Sequence, residues 1–303
     1  MEKHLIRKGL VCGVILLFIF MSVNPSFAVD NVKKSSILVS DGNTLYVGGS
    51  GEGNYSKIQD AIDNASDGDT VFVFDDSSPY YENVIVDKSI SLIGEDKNTT
   101  VIDGATNGNG VNISADIVTI VGFNIQNCSN GAGICIYSNN SIITDNIISY
   151  NMIGIETYYG GDSQDPTVLL SCGYNTITNN LIIFNEDLGI GLIGVNNTVN
   201  SNIISQTQYG IMLTFAVANN LSNNFISENE CGIFVIGSYN NVIYQNNISE
   251  NEKLGIQIFC TSADKIIQNN FFGNGQSAYF SQPIAPKIIG RRFIETFFSL
   301  VFA

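Results

Sequence analysis

The chain has 303 residues, enough for one or two domains with a full core, and its 44% hydrophobic content excludes a disordered polymer. Ile (43) and Asn (38) dominate, while only 14% of residues are charged, well below an ordinary domain. With 28 Asp/Glu against 13 Lys/Arg, the net charge of −15 argues against nucleic acid or anionic lipid as the main partner.

Residues 1–28 read as a secretory signal peptide: basic Lys3, Arg7 and Lys8, an apolar run from Leu10 to Met21, and the small-x-small site Ser26-Phe27-Ala28. Its removal leaves 10 Lys/Arg against 27 Asp/Glu, net −17, and takes away His4, the one histidine. The expected location is therefore secreted or extracytoplasmic, with attachment to the cell surface as a variant. Five cysteines remain, Cys128, Cys135, Cys172, Cys231 and Cys260, at spacings that match no zinc motif or dense disulfide framework. Buried free thiols are the expected state, with a Cys128–Cys135 bridge the alternative.

Residues 29–122 read as an N-terminal cap and early coils. Ser56-Lys57-Ile58-Gln59 has a capping-box pattern, and Ile58, Ala61, Ile62 and Ala65 share one helical face, which suits a cover over the first turn of a solenoid. Apolar runs at Thr70–Phe74, Val84–Val86, Ile90–Ile93, Val101–Ile102, Val111–Ile113 and Ile117–Val121 follow as strands.

Residues 123–282 repeat one phrase, Asn-apolar-Ile-Ser-x-Asn and then Gly-Ile-x-apolar. Its glycines at 133, 154, 189, 210, 232 and 255 are 21, 35, 21, 22 and 23 residues apart, a period of about 22 with an insertion near 158–174. Period-two apolar runs indicate strands, and Gly and Asn at the joints are expected to supply positive φ. Three strands and three bends per period predict an all-β, right-handed parallel β-helix of roughly nine or ten coils. Stacked Ile fills it and stacked Asn forms amide ladders. Residues 283–303 read as an atypical tail that caps the last coil, docks on a partner or marks a curtailed chain. The apolar stretch 293–303 is too short to span a bilayer, so no stable transmembrane span is expected in the mature chain.

Over about residues 40–280, the helix motif with Asp67-Gly68-Asp69-Thr70, the strand Glu82–Lys88, the Asp103-Gly104 turn and the Asn/Gly-Ile repeats resemble the NosD-like, pectin-lyase-fold β-helix proteins. The resemblance implies the fold; relatives of that fold include lyases, hydrolases, esterases, epimerases and adhesins, so it does not imply one activity. It also implies a role beside copper-centre assembly. Copper nonetheless fits poorly, because the mature chain offers no His and only Met152, Met212 and scattered Cys.

Lyase, epimerase and esterase chemistry want a cation beside the reacting carboxyl group. Between residues 100 and 280 the only cations are Lys253 and Lys265. Hydrolysis needs only two carboxylates, for which Asp145 with Glu156, or Asp162 with Asp165 in the insertion, are the candidates. Tyr158 and Tyr159, and Phe234 on the outward strip Cys135, Glu156, Gly191, Met212, Phe234, Gln257, are candidate sugar-stacking residues. Aligning repeats places Glu228 over Glu250 and Glu230 over Glu252, a candidate calcium site. The sequence thus points to a structural or glycan/protein-binding module, with polysaccharide or a cell-surface component as partner. A carbohydrate-active hydrolase is the alternative.

Overall fold

The computed structural model describes residues 42–105, 107–158 and 172–280. The leader, Tyr159, Asp162, Asp165, most of the insertion and the tail after 282 lie outside the described residues. Within them the chain forms a right-handed parallel β-solenoid with sheets of ten, nine and nine strands. A first strand, Thr44–Val47, and a helix, Ile58–Asn64, precede nine coils. Each coil gives one strand to each sheet in turn: the first coil contributes Thr70–Val73, Tyr80–Tyr81 and Val84–Val86, and the seventh Asn220–Ser222, Phe225–Ser227 and Cys231–Ile236. The strands Thr44–Val47 and Tyr80–Tyr81 carry no repeat phrase and were not expected from the sequence.

In-register pairing turns the period-two pattern into columns. In the first sheet Leu92, Ile120, Ile143, Ile177, Val199, Leu221 and Ile243 lie over one another. In the second, Ile102, Ile125, Ile148, Ile182, Ile204, Ile226 and Ile248 do the same. All of these side chains are fully buried. With neighbouring strands ~4.8 Å apart, each branched side chain packs on a copy of itself, so the core is extended coil by coil.

Buried asparagines at all three corners tie the coils together. At the corner between the first and second sheets, the backbone N–H and Nδ2 of Asn180 donate to Asn202 Oδ1 at 3.0 Å. Asn202 donates in the same way to Asn224, Asn224 to Asn246, and Asn246 to Asn269. Each Nδ2 also reaches a carbonyl of the preceding coil, as Asn224 does to Val199 O at 2.9 Å. The bends therefore turn inside the protein without leaving buried backbone groups unpaired.

The glycines of the repeat phrase do not have the role expected of them. Gly133, Gly154, Gly189, Gly210, Gly232 and Gly255 are absent from the residues with positive φ. Asn at bends such as Asn179, Asn223 and Asn240, and Gly at Gly122, Gly194, Gly237 and Gly273, do hold left-handed positions as expected, but so do Asp145, Tyr150, Phe184, Gln206, Glu228 and Glu250. The glycine column exists because the next coil passes too close: a Cβ on Gly210 would lie 2.6 Å from Gly232 O.

The helix end also differs from expectation. Lys57 is its N-cap and makes no side-chain capping bond. The Glu82 carboxylate, from the first coil, accepts the Ile58 and Gln59 N–H groups at 2.9 and 3.0 Å, satisfying donors at the positive end of the helix. Ile58, Ala61 and Ile62 are fully buried against the core, so the helix covers the solenoid as its apolar face predicted. The five cysteines are all free, and only Cys260 is partly exposed.

One ladder ends on a carboxyl group. At the corner between the third and first sheets, Asn175, Asn197, Asn219 and Asn241 lead to Asp264, whose Oδ1 accepts from Asn241 N and Nδ2 at 2.7 and 3.0 Å. Its Oδ2 is buried without a donor in hydrogen-bonding geometry. Burial raises the Asp264 pKa, and the Asn241 and Thr261 groups temper the rise. An acid whose folded pKa lies above its unfolded value favours the fold while protonated; that contribution is intact below the ordinary Asp range and is lost as pH rises through the raised value. Asp264→Asn replaces the unpaired oxygen with an amide donor, the group that in Asn241 donates to the Ala216 carbonyl of the preceding coil, so it is expected to raise stability at neutral pH by about 1 kcal/mol and to flatten this loss. Urea titrations of both proteins at pH 4 and pH 7.5 check it; a variant no more stable than the parent at pH 7.5 contradicts it.

Candidate functional site

The corner between the second and third sheets carries a groove parallel to the solenoid axis, with a volume of about 610 Å³. Its geometry follows from the repeat. From the third coil onward the residue after the second-sheet strand is left-handed, and part of this column, Tyr150, Phe184, Gln206, Glu228, Glu250, forms one wall. Buried Asn185, Thr207 and Asn229 form the floor, and Glu186, Gln208, Glu230 and Glu252 the other wall. Thr207 stands where neighbouring coils have Asn, and its hydroxyl donates to Asn229 Oδ1 at 2.9 Å. The Tyr150 and Phe184 rings are stacked, 5.3 Å between centroids and 4° between planes, although both are well exposed. Lys253, the extra residue in the eighth coil, places its ammonium 2.6 Å from Glu230 Oε1.

Beside the groove, the outward face of the third sheet holds a row of rings. Tyr209, next to groove residue Gln208, contacts Phe234 at 5.4 Å; Phe234 contacts Phe259 at 5.8 Å, and Phe259 contacts Tyr279 at 5.7 Å. The row advances one coil per ring over the sixth to ninth coils, and none of the four rings is fully buried. The middle register column of this sheet reads Asn112, Cys135, Glu156, Gly191, Met212, Phe234, Gln257, Tyr279. This is the outward strip expected from the sequence, now seen to join two aromatic residues to a carboxyl group across a gap at Gly191.

Glu156 lies half-buried in that column, between Cys135 and Gly191. Burial raises its pKa, and the Cys135 thiol, which donates to Oε1 at 3.4 Å, opposes the rise. The Cys135 thiol is itself pushed up strongly, first by burial and then by Glu156. Tyr137 and Tyr158 meet edge to face in the same strand pair at 5.8 Å.

The expected residues are thus distributed as follows. Phe234 belongs to the ring row, and Tyr158 packs near Glu156. Asp145 does not join Glu156: it occupies the left-handed position between the first and second sheets, 4.0 Å from Lys97 Nζ, and the second-sheet strand Ile147–Ser149 separates it from the third sheet. The four expected calcium ligands share the groove but do not converge. Glu230 is taken by Lys253, Glu228 accepts from Gln206 Nε2 at 3.3 Å, and among the described residues no three His, Cys, Asp or Glu side chains are grouped to hold a metal. Tyr150, Phe184, Gln206 and Gln208 were missed, although extending the Glu228/Glu250 alignment to the preceding coils would have found them. Tyr209 and Phe259 were missed because they lie in other register columns of the sheet, and Tyr279 because the outward strip was followed only as far as Gln257.

Copper donors fit no better: Cys128, Cys135, Cys172 and Cys231 are buried, and among the described residues no three His, Cys, Asp or Glu side chains are grouped to hold a metal. No helix among the described residues is long and apolar enough to cross a membrane.

Among solved structures, pectate lyase Pel9A is 13% identical over 82% of this chain and 79% of its own, with a TM-score of 0.57. An alginate lyase from Paenibacillus sp. str. FPU-7 is 12% identical, covering 78% of this chain and 99% of its own, at 0.51. The enzymatically active domain of the bacteriophage CBA120 tailspike protein 2 is 12% identical over 78% of this chain and 41% of that one, at 0.55. These likenesses show the shared solenoid. No curated protein matches the chain. The family model described as periplasmic copper-binding protein (NosD) matches residues 62–286, from the capping helix through the last coil, and the chain therefore belongs to the NosD family.

Proposed function

We propose that this protein is an extracytoplasmic β-helix module that binds a linear glycan along the third sheet and the adjoining corner groove. The observation that carries the reading is the row Tyr209, Phe234, Phe259, Tyr279, with neighbouring centroids 5.4–5.8 Å apart. A solvent-facing row of rings contributes little to the core, whereas sugar rings stack their apolar faces on such side chains and amides such as Gln257 satisfy the hydroxyls. The axial repetition of the solenoid suits a polymer of repeating units.

Charge narrows the ligand. The described residues contain no Arg; Lys253 is tied to Glu230 and Lys97 to Asp145, and Lys88 Nζ donates to the Ile62 and Asp63 carbonyls at 2.9 and 2.6 Å. A polyanionic glycan would meet a strongly negative protein, so neutral or cationic glycans are favoured. Affinity electrophoresis in gels containing neutral polysaccharides tests this. Retardation is expected for the parent and lost by at least about fivefold in Phe234→Ala, the loss of one stacked ring. A panel of neutral and cationic polymers that leaves migration unchanged, or a Phe234→Ala variant retarded like its parent, contradicts it.

A hydrolase remains the second reading, favoured by the half-buried Glu156 carboxyl group in the same column. Burial raises its pKa, the direction that suits a proton donor. Release of reducing ends that disappears in Glu156→Gln, with binding retained, would establish that reading over simple binding.

A further inference from the structure

We infer that the corner groove is a recognition site for primary ammonium groups, and that the preferred glycan is therefore an amino sugar polymer with free amines. The inference rests on the glycan-binding reading and adds the chemical class of the ligand.

Three observations meet here. One wall carboxylate already pairs with a primary ammonium: Lys253 Nζ lies 2.6 Å from Glu230 Oε1. The repeat then places Glu228 and Glu250 on successive coils of the opposite wall, where neither has an ion-pair partner among the described residues. Finally, the stacked Tyr150 and Phe184 rings precede these carboxylates in the same left-handed column, with Gln206 between. An aromatic face followed by carboxylates attracts an ammonium group through the ring quadrupole and through direct ion pairing.

The groove is also placed to act together with the ring row. Gln208 of the groove wall is followed by Tyr209, the first ring, and Tyr209 is near enough to Glu230 and Lys253 for both charges to act on its hydroxyl. A polymer whose sugar rings lie on the third sheet can therefore direct substituents over the corner. An acetylated amine carries no charge and gains nothing from the carboxylates, so the two forms of one polymer should be distinguished.

Isothermal titration of the full chain with a glucosamine hexamer and with its fully N-acetylated counterpart tests this in a low-salt buffer at pH 6. The free-amine hexamer is expected to bind about tenfold more tightly, a preference that shrinks as salt is added. Glu228→Gln combined with Glu250→Gln should bring the two hexamers to within about twofold, chiefly by weakening the free-amine one. Glu52→Gln with Asp87→Asn, which alters net charge equally at exposed sites away from the groove, should retain the preference. Equal binding of both hexamers, or the same loss in the control pair, overturns the ammonium site but not glycan binding. Failure of both hexamers together with all neutral glycans overturns the glycan reading itself.

Discussion

Asn224→Ala is expected to lower stability by about 2–6 kcal/mol. Asn224 lies inside a ladder, almost fully buried. Its Oδ1 accepts from Asn202 N and Nδ2 at 3.0 Å; its Nδ2 donates to Val199 O at 2.9 Å and to Asn246 Oδ1 at 2.9 Å. Alanine removes the acceptor of a buried backbone N–H and the side-chain donor to a buried carbonyl. Each orphaned group costs roughly 1–3 kcal/mol, which sets the range. Because a solenoid is held by contacts between neighbours, the loss should be local as well as global. Hydrogen exchange should accelerate first in the sixth to eighth coils. Urea denaturation showing less than about 1 kcal/mol of loss would contradict the ladder's role.

Gly210→Ala is the second large effect, and its sign is the informative part. Where the backbone permits, Gly→Ala stabilises a protein by about 0.4–1 kcal/mol through the unfolded chain. Gly210 lacks a positive φ, so conformation alone predicts that gain. Its added Cβ, however, would lie 2.6 Å from Gly232 O and 2.7 Å from Ile226 Cγ2. A backbone carbonyl cannot rotate aside, so adjacent coils must separate, at a cost of about 1–3 kcal/mol or more. Gly191→Ala is the matched comparison. There the Cβ would meet the flexible end of Leu188 at 3.2 Å and Glu156 Cβ at 3.6 Å, and a change within ±0.5 kcal/mol is expected. Thermal denaturation of the two variants in parallel checks this, and equal midpoints would contradict it.

The sequence disclosed what repeats and concealed what crosses the repeats. Ile and Asn columns were legible because identical residues recur at one period and the physics of stacking is the same on every coil. The outward column through Glu156 and Phe234 was legible for the same reason. The acceptor for the helix N–H groups was not, because Glu82 is more than twenty residues away and replaces a local capping pattern with a tertiary one. The glycine column was visible, but its cause was misread: close approach between coils leaves the same sequence trace as a positive φ. Asp145 and Glu156 are near in sequence yet belong to a corner and a face that the intervening second-sheet strand separates. The groove emerges only when the residue after each second-sheet strand is followed through five coils, including those where the recurring Ser is replaced, as at Ile183 before Phe184.

The central claim is that the ring row on the third sheet is a track for a linear polymer. Calorimetric titration with neutral and amino-sugar oligomers of increasing length tests it most directly. Affinity should climb with each added sugar until the oligomer spans the four coils from Tyr209 to Tyr279, then level off. Tyr209→Ala should shorten the length at which it levels. Affinity that is independent of length, or the absence of binding at any length, would contradict the account.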